Sequence, residues 1–230
     1  MHIAVKAVAA VGMLALSASI ATAQGTVSGT LSLEERAGAD RGDLRNAVVY
    51  LEPRERAIPV SYVPAMRSRV IAMHGREFRP HVTIVQAGGS VAFPNEDPFS
   101  HNVFSNVDLG PFDLGLYRRG TTRAATFARP GVYPIYCNIH SMMVSFVVAV
   151  PSPWATQPDE AGRFTLRGVP AGRYVIHAWH EHGAREVARD VVVSDSGAEV
   201  QLAIDARTYV EAPHLNKFGR PYSLIRDDRY

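Results

Sequence analysis

The feature that most limits the folds open to this 230-residue chain is the brevity of its apolar segments. Beyond residue 23 none keeps a 3.6-residue period over a helical length, and Gly, Pro, Asn and Asp recur between them. Residues 27–33 alternate apolar with small or polar side chains, as a half-buried strand does. Further strands are read at 47–51, 81–85, 90–93, 101–104, 121–127, 132–136 and 144–150. After Pro151-Ser152-Pro153 come 163–166, 173–179, 188–193 and 199–204. Many short strands at regular spacing imply an all-β protein built from sandwiches. The last stretch, 206–230, is polar and Arg-rich with scattered aromatics, and is read as an extended tail lying on the body or mobile.

The start of the chain sets the compartment. Residues 1–23 carry one Lys at position 6, an apolar run from Ala7 to about Ile20, and the small-x-small triplet Ala21-Thr22-Ala23. This is the form of a secretory signal peptide, with cleavage near Ala23-Gln24. The run is too short and poorly flanked for an anchor, and no other stretch is long enough to span a membrane. The expectation is a periplasmic or secreted protein with no membrane span after cleavage. The formal net charge of +2 names no partner: it is neither a nucleic-acid footprint nor a polybasic membrane patch.

One cysteine cannot form an intrachain disulfide, and in an oxidising compartment a lone thiol is a liability unless buried or metal-bound. Cys137 is followed by His140 and Met143, between the strands 132–136 and 144–150. Thiolate, imidazole and thioether together select a soft or borderline metal; two His, one Cys and a weak axial Met are the ligands of blue-copper electron-transfer sites. Zinc is a rival occupant, because Cys and His also suit it. The fourth ligand must come from elsewhere, and His101 sits upstream at a loop-to-strand junction.

Residues 78–80, Gly88-Gly89-Ser90-Val91-Ala92-Phe93-Pro94-Asn95, His101-Asn102-Val103 and the run Pro130 to Cys137 resemble a small cupredoxin, closest to amicyanin and plastocyanin. The spacing C-x2-H-x2-M resembles the short amicyanin loop and favours Met143 over Met142 as axial ligand. The resemblance implies a Greek-key β-sandwich over residues 60–152. It also implies one type 1 copper ion held by His101, Cys137, His140 and Met143, with Asn102 bonding the Cys-bearing loop from the next shell out. There is no His-Cys-His string of multicopper oxidases and no second Cys for a binuclear thiolate centre.

Residues 159–174 resemble the carboxypeptidase regulatory-like, transthyretin-like β-sandwich, with Ala161-Gly162 and Pro170-Ala171-Gly172 as hairpin turns. Residues 25–29 and 46–51 resemble the first strands of the same module. The expected organisation is a sandwich of residues 24–55 and 154–205, split by an inserted cupredoxin. The alternative is that 24–55 extend the cupredoxin sheet. The whole is similar to proteins often labelled as methylamine utilisation proteins.

His177, His180 and His182 cluster in Val175–His182. They are read as exposed or hydrogen-bonded histidines at a strand end, with a second metal site as the rival reading. His74 and His81 approach the cupredoxin strands, and His214 lies in the tail. The functional expectation is a non-enzymatic, exported one-electron carrier serving unidentified redox partner proteins. The alternative is a copper-binding, storage or structural module, with partner or glycan binding and no electron transfer.

Overall fold

The computed structural model describes residues 24–39, 41–55 and 64–222. The signal peptide read in residues 1–23 and the end of the tail, 223–230, lie outside them. The described chain is all-β, with one four-residue helix, Pro64–Arg67, and a 3-10 turn, Leu44–Asn46. Among the described residues no helix is long and apolar enough to cross a membrane.

Gln24–Glu34 pairs antiparallel with Arg163–Pro170 and parallel with Ala198–Asp205. Facing this sheet is one ordered Ala155–Thr156, Val48–Pro53, Gly172–Trp179, Val187–Val193. Val27, Leu31, Val49, Leu51, Phe164, Tyr174, Ile176 and Leu202 fill the space between them. The turn at Gly162 holds this layer in register: its backbone sits at φ +77°, Gly162 N donates to Asp159 O at 2.8 Å, and Leu31 N donates to Gly162 O at 2.8 Å. A side chain at 162 would meet the Leu31 carbonyl.

The second pair of sheets is ordered Thr122–Phe127, Gly89–Pro94, Ser68–Val70 and Val82–Gln86, Val144–Val150, Gly131–Cys137, His101–Ser105, Phe112–Tyr117. Their core contains Phe93, Phe127, Tyr133, Ile135, Val147, Cys137 and Met143. A small hairpin, Ala72–Met73 with Phe78–Arg79, closes one end.

The two sandwiches are stacked. Val49 and Leu51 point into the first core, whereas Val48 and Tyr50 meet Val82, Ile84, Val148 and Val150 in a third cluster. Likewise Val147 and Ala149 face the second core and Val148 and Val150 the third. Successive strand residues point to opposite faces, so a strand buried on both faces must be apolar throughout. This is why the runs at 47–51 and 144–150 lack the alternation seen at 27–33. Phe146 against Trp179, ring centroids 5.2 Å apart, and His81 Nε2 against Glu181 Oε1 at 2.6 Å complete the contact.

Candidate metal centre

Gly131–Cys137 and Val144–Val150 pair up to Tyr136 opposite Val144, which pins both ends of the loop between them. Cys137 N donates to Met143 O at 3.2 Å and Met143 N to His140 O at 3.1 Å, so the loop is closed by its own backbone. His101 opens the neighbouring antiparallel strand, whose Val103 lies opposite Cys137. The start of one strand and the end of the next thus meet at one pole of the sandwich.

There Cys137 Sγ lies 3.7 Å from His101 Nδ1 and 3.6 Å from His140 Nδ1. Cys137 and His101 have no exposed surface. Metal–sulfur and metal–nitrogen lengths of about 2.3 and 2.0 Å, at angles from tetrahedral to trigonal, separate S and N by roughly 3.5–3.7 Å. The three donors therefore fit around a single copper ion, which the thiolate–imidazole set suits. Met143 is 1% exposed and packs in the core that holds Cys137, whereas Met142 is 64% exposed.

The surroundings prepare these donors. His101 Nε2 lies 2.8 Å from Asp97 Oδ2, which accepts its N–H hydrogen bond and leaves the Nδ1 lone pair facing the sulfur. Burial tends to raise the Asp97 carboxyl, but N–H donors from Arg76 and Gly75, at 3.0 and 2.6 Å, and His101 more than offset this and leave it lowered. Burial lowers His101, with Asp97 opposing. His140 is pushed down to about 4 by burial, then by His101 and Arg76. Both shifts favour the neutral imidazole that a metal ligand must be. Burial raises the Cys137 thiol, while backbone N–H groups of Asn102, Ile139 and His140 pull the other way. Phe99 roofs the pole, its ring centroid 5.2 Å from that of His101 and 5.7 Å from that of His140, with the Arg76 guanidinium 5.0 Å above it.

Asn102 reaches the Cys-bearing loop through its backbone N–H, which bonds the Cys137 sulfur, and not through its side chain. Its Nδ2 donates to Asp113 Oδ1 at 2.6 Å, and its buried Oδ1 has no partner. The reason is a bulge between the strands His101–Ser105 and Phe112–Tyr117. Gly115, at φ +69°, supplies the extra residue and its N–H also donates to Asp113 Oδ1. The bulge turns an ionised acceptor toward Asn102, a stronger partner than a backbone group. Of the Asn102 groups, the backbone N–H is the one that faces the sulfur.

Among the described residues the other histidines do not share a metal-binding donor set. His177 stacks on Tyr50 with centroids 4.5 Å apart and bonds Glu186 at 2.7 Å. His180 bonds Asp43 O at 3.1 Å and accepts from His182 N at 3.0 Å, and His182 stacks on Tyr209. His74 lies 3.6 Å from Glu96, and His214 stacks on Tyr136. Among the described residues, His101, Cys137 and His140 form the one cluster of three or more His, Cys or acidic side chains placed to hold a metal ion. Sequence reasoning passed over Asp97, Asp113, Lys217 and Tyr222; the spacing of Asp97, four residues before His101, was the available signal.

No family model matches this chain, and no curated protein does. Solved structures similar to part of it include a Cu-containing nitrite reductase from Thermus scotoductus SA-01, at 27% identity and TM-score 0.34. A reduced mutant of amicyanin is 20% identical with TM-score 0.35, and a purple cupredoxin from Nitrosopumilus maritimus 22% identical with TM-score 0.32. Each likeness covers 36% of this chain. It takes in 83% of the amicyanin and 99% of the purple cupredoxin. The chain spans about a fifth of the nitrite reductase, 22% of its length.

Proposed function

We propose that this chain is an exported blue-copper electron carrier, with one copper ion held by His101, Cys137, His140 and Met143. The observation that carries the reading is the placement of two imidazole Nδ1 atoms at 3.7 and 3.6 Å from the only thiol, itself fully buried. When bound, copper among thiolate, imidazole and thioether donors supplies one-electron chemistry between Cu(I) and Cu(II). Cys137 and the two histidines hold the ion. Asp97 keeps His101 in the tautomer that offers Nδ1. The core around Met143 and the Phe99 ring exclude water. With four protein donors no position is left for a substrate, which favours a carrier over an enzyme. Residues 1–23 support export to the periplasm or beyond, and the redox partners are proteins.

The same reading divides the chain into a cupredoxin domain, residues 60–152, set between the two parts of a carboxypeptidase regulatory-like sandwich, 24–55 and 154–205. The hydrogen bonding of Gln24–Glu34 and Val48–Pro53 to strands that follow residue 154 supports this division. Stoichiometric Cu(II) loading followed by cycles of ascorbate and ferricyanide tests the carrier role. An intense visible thiolate-to-copper band should appear, bleach and return. A protein that binds only Cu(I) and stays colourless would stand as a storage module instead.

A further inference from the structure

Residues 207–222 leave the first sandwich and run over the metal pole of the second. His214 stacks on Tyr136, ring centroids 4.4 Å apart and planes within 22°. Tyr222 Oη donates to Cys137 O at 2.5 Å. Lys217 N donates to Asn138 Oδ1 at 2.9 Å. Three consecutive residues, 136 to 138, are thus gripped from outside at the point where strand becomes metal loop. The segment keeps its shape through a turn of its own: Asn216 Oδ1 accepts from Phe218 N and Arg220 N, at 2.9 and 3.1 Å, and Gly219 N donates to Asn216 O at 2.9 Å.

The other half of the centre is held from the same segment. Lys217 Nζ lies 2.6 Å from Asp113 Oδ2, and Asp113 Oδ1 accepts from Asn102 Nδ2, next to His101. A continuous path of hydrogen bonds therefore runs Asn102–Asp113–Lys217–Asn138. It joins the residue after His101 to the residue after Cys137, a tie that the Asn102 side chain does not make directly.

We propose that this C-terminal strap is part of the metal centre, with Lys217 and Tyr222 as positioning residues that hold Cys137 at its distance from His101 before metal arrives. The proposal rests on the copper reading only for what the held donors bind. Removing either contact leaves every metal donor in place, so it should loosen the loop without removing a ligand.

The test uses the whole protein, metal-free and copper-loaded. Cys137 is the only thiol, so iodoacetamide labelling of the metal-free protein reads opening of this loop alone. Tyr222→Phe and Lys217→Met should each label roughly fivefold faster than wild type, the factor that one net hydrogen bond sets on a local opening equilibrium. Lys217→Arg, which keeps a cation for Asp113, should restore the slow rate. Global Tm should stay close to wild type, which separates positioning from general destabilisation. In copper-loaded protein both variants should shift the visible band and the reduction potential. Labelling at the wild-type rate in both Tyr222→Phe and Lys217→Met would overturn the strap. A wild type without a thiolate-to-copper band would overturn the copper reading instead, and the labelling result would still decide the strap.

Discussion

Asp97 Oδ2 lies 2.8 Å from His101 Nε2, and His101 is fully buried, so no water can take over if that carboxylate is lost. Asp97→Asn keeps the shape but can place an amide N–H against Nε2, favouring the tautomer that presents a proton to the sulfur. Copper retention against a chelator should weaken by about tenfold to a hundredfold. The two methionines should separate cleanly. Met143→Gln should keep copper and shift the reduction potential, because a weak axial donor tunes more than it holds, whereas exposed Met142→Gln should leave the potential near wild type. Voltammetry on the two variants tests this, and the opposite pattern would assign the axial place to Met142. His101, Cys137, His140 and Met143 stand out in sequence because metal donors at fixed spacing are rare. Asp97 stands out less: its spacing from His101 is a signal, but the Gly75 and Arg76 amides that hold it ionised fold back over it from 22 and 21 residues earlier.

Gly162 and Gly120 both sit at positive φ, +77° and +79°, yet only the first has the Leu31 carbonyl where a Cβ would go; nothing lies within 4 Å at the second. Gly120→Ala should therefore cost only the conformational strain, about 1–2 kcal/mol. Gly162→Ala should cost about 3 kcal/mol or more, because a backbone atom must also move. Urea unfolding of the two variants measures the gap. Alternation and turn residues made most strands readable. The turns at Ala161-Gly162 and Pro170-Ala171-Gly172 were readable as turns but are not hairpins: Arg163–Pro170 pairs with Gln24–Glu34 in one sheet, whereas Ala155–Thr156 and Gly172–Trp179 lie in the facing one, so each turn passes the chain between layers. Phe112–Tyr117 was not, because Asp113 and Gly115 interrupt its apolar pattern at the bulge. Ser68–Val70 and Phe78–Arg79 are too short to carry a period at all. The parallel partnership of Gln24–Glu34 with Ala198–Asp205 is likewise invisible to local pattern: alternation tells which face is buried, never which distant strand lies alongside.

Between the sandwiches, the apolar layer of Val48, Tyr50, Val82, Ile84, Val148 and Val150 means that neither body presents a fully polar surface when separated. A fragment of residues 60–152 should keep its copper core but self-associate through that face, and Ile84→Lys with Val148→Lys should return it to a monomer in size-exclusion chromatography. The His81–Glu181 pair makes the contact sensitive to pH. Its bond to Glu181 raises His81 above its ordinary 6.5, so its contribution is complete below that value and fades as pH rises through the raised one. Burial tends to raise Glu181, but His81 leaves it below its ordinary 4.5, so its contribution is present above that value and lost in acid. The pair therefore supports the metal-free protein most between about pH 4.5 and 6.5. Tm of the wild type should fall from pH 5.5 to pH 8 more than that of His81→Gln. Whether two histidines and the lone thiol hold one copper ion as a redox centre is decided by titration of the full protein with Cu(II), followed by visible and electron paramagnetic resonance spectroscopy beside Cys137→Ser. An intense thiolate-to-copper band that saturates at one copper per chain and is absent from Cys137→Ser is the predicted result; an unchanged band in Cys137→Ser, or no band in the wild type, would contradict it.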